Sequence, residues 1–174
     1  KYASLKSLND FDWNWNTSEA PKHKASASLD ASLQLQSLNG KFEVLSSLPA
    51  GVEILEFTDF AKQNPAFIAD WANRNQILDQ NSLYDLNDAL TTSHQVIRVK
   101  EGTKLEKPIF HQYVADVTTA SAIQTKLLIY LEKDTSITWV DDLSTNSASD
   151  SILSNYVQEV WVDESAHLTF VKTQ

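Results

Sequence analysis

Between residues 122 and 174 the chain carries three successive runs of apolar/polar alternation with no helical pattern between them. The runs are 124–131, then 135–140, then 155–162 with an echo at 166–171. Each is short, rich in β-branched or aromatic residues, and bounded by Asp, Ser, Asn or Glu, as half-buried strands are. With no amphipathic helix to shield them, these strands must stack on one another. That requirement favours a coiled or barrel-like all-β body over a βαβ unit.

Upstream, the same alternation extends through 95–100 and 109–114, with Pro108 at a strand start, where a missing N–H does least harm. Strand onsets recur every 10 to 20 residues from Gln95 to the end. A β-sandwich gives such spacing, and so does a β-helix whose rungs stack flat. The first half is different. Asn39-Gly40 stands between Leu33, Leu35, Leu38 and Phe42, Val44, Leu45, which predicts a hairpin on a type I′ turn. Residues 52–57 predict a third short strand, and Thr58 or Asp59 is placed to cap a helical turn through Lys62. Asn64-Pro65 predicts a helix start, with Phe67, Ile68 and Trp71 on one face. Residues 82–90 predict another helix with a Leu83, Leu86, Leu90 stripe. Tyr2, Leu5 and Leu8 share helical spacing, and 25–32 is a Ser/Ala-rich connector. The change of period near Thr92 divides a mixed helical and hairpin region, 1–92, from a β region, 93–174.

With a net charge of −9 and a pI near 4.8, the chain lacks the basic face that phosphates or an anionic bilayer would demand. No nucleic-acid or membrane partner is expected. Hydrophobic content of 42% with 21% charged residues belongs to an ordinary globular protein. No apolar run is long enough to span a bilayer, and the first residues lack a signal-peptide core. Absent cysteine excludes disulfides, thiolate nucleophiles and Cys-ligated metal within these 174 residues. A cytoplasmic location is the expectation, although a cysteine-free chain would also suit the periplasm.

Few residues point to chemistry. His23, His94, His111 and His167 show no metal-ligand spacing, and packed or surface histidines are expected. Asp141, Asp142 and Asp150 offer hard-cation ligands, against a simpler reading of 141–151 as a solvated loop. Trp13, Trp15 and Trp139 are candidates for a sugar-stacking platform, with half-buried anchors as the plainer expectation for the first two. No nucleophile elbow or phosphate loop is present, and no carboxylate pair is identifiable as a glycosidase site. The sequence therefore nominates no catalytic, cofactor-binding or metal residue, and the expectation is a non-enzyme.

Several short motifs, taken in order, carry a family resemblance. They are Lys1-Tyr2-Ala3-Ser4-Leu5, Leu38-Asn39-Gly40-Lys41-Phe42, Leu48-Pro49-Ala50-Gly51-Val52 and Leu86-Asn87-Asp88-Ala89. The stretch 100–109 and the run from Ser154 through Ala166-His167-Leu168 to Gln174 follow. Together they resemble the SufD type of iron–sulfur cluster assembly protein, and the lack of cysteine suits SufD better than SufB. The resemblance implies a mainly β chain with a mixed α/β N-terminal part leading into a right-handed parallel β-helix. It also implies a scaffold role beside SufB-like and SufC-like subunits, the latter an ATPase. The family's cluster-related and SufC-docking positions lie beyond the matched stretch, so no functional residue transfers to a number here and no cofactor is expected in this segment. An open last rung would expose unpaired backbone and apolar interior, inviting a partner or a homodimer.

Overall fold

A computed structural model describes residues 12–15, 29–75, 82–91, 93–145 and 152–173. Among the described residues the chain is mainly β, with three helices and two mixed sheets. In order come β1 (Leu33–Leu38), β2 (Lys41–Val44), β3 (Val52–Glu56), α1 (Phe57–Gln63), α2 (Pro65–Asn75), α3 (Ser82–Leu90), β4 (His94–Val99), β5 (Ile109–Ala115), β6 (Ser121–Leu131), β7 (Ser136–Thr145), β8 (Ile152–Val162) and β9 (His167–Thr173). The first sheet runs β2-β1-β5-β7-β9 and the second β3-β4-β6-β8.

From β4 onward successive strands fall alternately in the two sheets, and from β6 onward each pairs in parallel with the strand two before it. Strand and turn 93–115 are therefore not a hairpin, because β4 and β5 lie in different sheets. Among the described residues, antiparallel pairing is confined to β1–β2 and β3–β4. An immunoglobulin-like sandwich, whose sheets are antiparallel, does not have this pattern. The chain returns to the same sheet every 30 to 32 residues, as the registers Val96↔Leu128↔Glu159 and His111↔Asp141↔Lys172 show. The regions on either side of Thr92 share both sheets, through β1–β5 and β3–β4.

Local chemistry explains several elements. Asn39 (φ 49°) and Gly40 (φ 86°) both take positive φ, and Leu38 pairs with Lys41 across them, which is the type I′ geometry expected. Proline opens α2, where its missing N–H is harmless. The helix before it starts earlier than Thr58 or Asp59 would place it. Its N-cap is Glu56, with no side-chain cap, and Asp59 sits in the first turn, bonded to Lys62 at 2.9 Å. Stacked corners between strands use left-handed residues: Gly102 N–H donates to Lys133 O, and Asp134 (φ 59°) N–H donates to Glu164 O, beside Ser165 (φ 58°).

Between the sheets lies an apolar core of Leu33, Leu35, Ile97, Val99, Ile109, Leu127, Ile129, Leu131, Ile137 and Trp139. The helices cover the outer face of the second sheet. There Phe60, Val96 and Leu128 are buried, with Phe67, Ile68, Tyr130 and Trp161 packed on them. Strand β6 is thus covered on both faces, which is why Leu127-Leu128-Ile129 is a continuous apolar run and not an alternating one. α3 departs from its expected stripe. Leu83 and Leu86 are half-buried and Leu90 is exposed, while the buried residue is Asn87. Its Nδ2 donates to Thr125 O at 3.0 Å and Asn155 O at 2.7 Å, so the helix docks through an amide on strand carbonyls that need donors.

Candidate functional site

Two polar clusters are built by the strand ladders. The first lies inside, between the sheets. His111 on β5 sits beside Asp141 on β7, one step along the same register column. His111 Nε2 is 2.9 Å from Ser37 Oγ, and Nδ1 is 3.0 Å from Asp141 Oδ1. Asp141 Oδ1 also accepts from Trp139 Nε1 at 2.9 Å, and the Tyr156 hydroxyl lies 3.1 Å from His111 Nδ1. The tautomer that satisfies this set places the proton on Nδ1, facing Asp141, and leaves Nε2 to accept from the Ser37 hydroxyl. Tyr156 stacks on Tyr113 at 4.8 Å, and Tyr113 accepts from Ser154 Oγ at 2.9 Å. Burial, and then the nearby Asp141 charge, pushes the Tyr156 phenol well above its ordinary range. Burial likewise raises that of Tyr113.

Ser37, His111 and Asp141 have the connectivity of a hydrolytic triad. Their surroundings do not suit that chemistry. His111 and Asp141 are fully buried, Ser37 is 4% exposed, and none of them lines either opening described below. A serine nucleophile needs a substrate carbonyl within about 3 Å and a route for it. Here the three residues fasten β1, β5 and β7 together, and Tyr156 extends the bonding to β8 of the opposite sheet.

The second cluster lies under the helices, on the outer face of β6. Lys126 is 3% exposed. Its ammonium donates to Glu159 Oε1 at 2.8 Å, Asp88 Oδ1 at 2.5 Å and Tyr84 Oη at 2.8 Å, and lies 4.2 Å from the Tyr84 ring centroid. Glu159 in turn accepts from Trp71 Nε1 at 2.6 Å and Tyr84 Oη at 2.5 Å. Burial opposes the ammonium charge, but the bonds to Asp88, Glu159 and Tyr84 outweigh it and hold Lys126 above the usual lysine range. Burial raises Glu159 too, yet Lys126 and Tyr84 bring it below the usual carboxylate range. Tyr84 is pushed up to about 12, first by burial and then by its bond to Glu159. A lysine held charged is neither nucleophile nor base. This cluster clamps α2 and α3 to β6 and β8.

The residues singled out by sequence are dispersed. His94 stacks on Phe57 at 4.0 Å, and burial, aided by the Lys126 charge, lowers it to about 4. His167 is exposed on β9, by an opening shared with Lys104 and Asp134. His23 and Asp150 lie outside the described residues, as do the predicted Tyr2, Leu5, Leu8 helix and the connector up to 28. The solvated-loop reading of 141–151 fails at its start, since Asp141 belongs to β7 and is buried. Asp141 and Asp142 are consecutive strand residues and point to opposite faces, so they cannot grip one cation. Asp142 instead accepts from Thr173 Oγ1 at 2.9 Å. Among the described residues there is no group of three His, Cys, Asp or Glu able to hold a metal. Trp139 is fully buried and cannot be a sugar platform, whereas Trp13 is half-buried and Trp15 is 44% exposed. Sequence reasoning missed Lys126, whose one signal was a lone cation inside an apolar strand run.

No helix among the described residues is long and apolar enough to cross a membrane. No protein-family model matches the chain, and a search of curated proteins returns no match.

Proposed function

We propose that this chain is a non-catalytic scaffold of the SufD kind, acting in the cytoplasm with a SufB-like subunit and a SufC-like ATPase. In this reading its alternating strands are the opening coils of a right-handed parallel β-helix, and this segment holds no cofactor of its own. The observation that carries the reading is the path of the chain, which returns to each sheet in parallel every 30 to 32 residues. The resembling motifs fall at architectural points of that path: Asn39-Gly40 at the hairpin tip, Gly51 before β3 and Gly102 at the corner after β4. A scaffold also needs places for partners. Among the described residues β8 and β9 are sheet edges, with Val160, Val162 and Phe170 exposed.

Co-expression with SufB-like and SufC-like subunits tests the proposal. The expected result is a three-component complex that survives size-exclusion chromatography. Failure of the protein to associate when all three components are well folded would overturn it.

A further inference from the structure

A cleft of about 330 Å³ opens beside the β1–β2 turn, and its walls belong to neither cluster above. Trp15, Lys41, Glu56, Gln95 and Gln124 line it. The segment 12–15 is fixed there by backbone bonds, Asn14 N–H to Ala120 O and Ala122 N–H to Asn14 O, each 3.0 Å. That leaves the Trp15 indole at the rim, 44% exposed. Gln124 is only 6% exposed. Asn155 Nδ2 donates to its Oε1 at 2.8 Å and so orients the amide, while its Nε2 has no partner among the described residues. Gln95, 9% exposed, donates to Glu56 Oε1 and steadies that carboxylate, whose Oε2 has no bond among the described residues.

We propose that this cleft binds a small neutral polyhydroxylated ligand, a sugar of monosaccharide size. Sugar hydroxyls both donate and accept, and the cleft offers a buried amide donor near an oriented carboxylate acceptor. Gln124 Nε2 is buried with no partner among the described residues, so a ligand oxygen that accepts from it satisfies an otherwise unpaired donor. The negative face of an indole attracts the weakly positive C–H groups on one side of a pyranose ring. Lys41 is already paired with Glu43 at 2.6 Å, and Glu56 repels anions, so the cleft does not favour a phosphate. The volume lies near the lower end of the roughly 300–1,000 Å³ typical of ligand pockets, which suits one ring and not a chain.

The test is titration of the purified protein with D-glucose, D-galactose, D-mannose, N-acetyl-D-glucosamine and glucose 6-phosphate, followed by saturation-transfer NMR and calorimetry. At least one neutral sugar should saturate with a Kd of about 1 mM or below, and Trp15→Ala and Glu56→Gln should each weaken it by about tenfold or more. Both side chains are exposed, so unchanged circular dichroism will show that the fold is retained. Absence of saturation by all four neutral sugars, equal affinity in both variants, or tighter binding of the phosphorylated sugar would overturn the proposal. Partner association is a separate readout, so the scaffold reading stands or falls independently.

Discussion

Replacing Lys126 by methionine tests whether the buried ion pair clamps the helices to the sheet. Methionine keeps the length and apolar stem of lysine but removes the ammonium, leaving Glu159, whose side chain is 10% exposed, without its cation. Breaking one side of a buried pair costs about 3–5 kcal/mol. Trp71 and Tyr84 still donate to Glu159, so the lower end, about 3 kcal/mol, is expected. Asp88 is half exposed and adds little. The loss corresponds to roughly a hundredfold fall in the folding equilibrium constant at pH 7. The pH dependence is the sharper check. In the wild type the folded-state Glu159 carboxyl is depressed, so its contribution is present above the unfolded carboxylate value and is lost as pH falls. Without Lys126, burial favours protonated Glu159, and the variant has no such contribution to lose. The gap between the proteins should therefore narrow between neutral pH and the acid side of the carboxylate range. Urea unfolding at several pH values measures it. A deficit below about 1 kcal/mol at pH 7, or one independent of pH, would refute the clamp, because exposed pairs contribute about that little.

Asp141→Ala removes the acceptor of both His111 Nδ1 and Trp139 Nε1, and each stranded donor should cost about 1–3 kcal/mol in chemical unfolding. Gly51→Ala places a Cβ 2.2 Å from Thr103 Oγ1 at a φ of +82°, so Tm should fall by more than the about 1–2 kcal/mol of a left-handed backbone alone accounts for. Gly102→Ala, at a φ of +74° with open space around the new Cβ, should show only that backbone penalty. His94 is depressed to about 4 when folded, so its neutral form contributes stability above its ordinary value of 6.5 that is lost as pH falls toward 4. His94→Phe, which retains a ring on Phe57, should flatten the Tm-versus-pH curve in that window.

Much of the local structure was legible. The Asn39-Gly40 hairpin, the Pro65 helix start and the 82–90 helix each follow from backbone preferences spanning a few residues. Strand onsets were legible too, though β7 runs on to Thr145 through a Ser- and Asp-rich stretch. Its polar residues are admitted because parallel neighbours satisfy the backbone, β5 through Thr145 and β9 as far as Asp142. The 31-residue return left a faint trace in the corners Glu101-Gly102-Thr103, Lys133-Asp134-Thr135 and Glu164-Ser165-Ala166. Asp and Ser at the left-handed position hide what glycine would have announced.

By itself the sequence determined a mainly β chain with a hairpin and helices in its first half, because turn geometry, capping and side-chain period are local. Only the tertiary structure decided that each strand from β4 to β7 pairs with the next but one, and so that His111 meets Asp141, and Lys126 meets Glu159. Those contacts join residues about thirty positions apart. Their energy comes from burying the groups together, and a periodicity read a few residues at a time does not encode it.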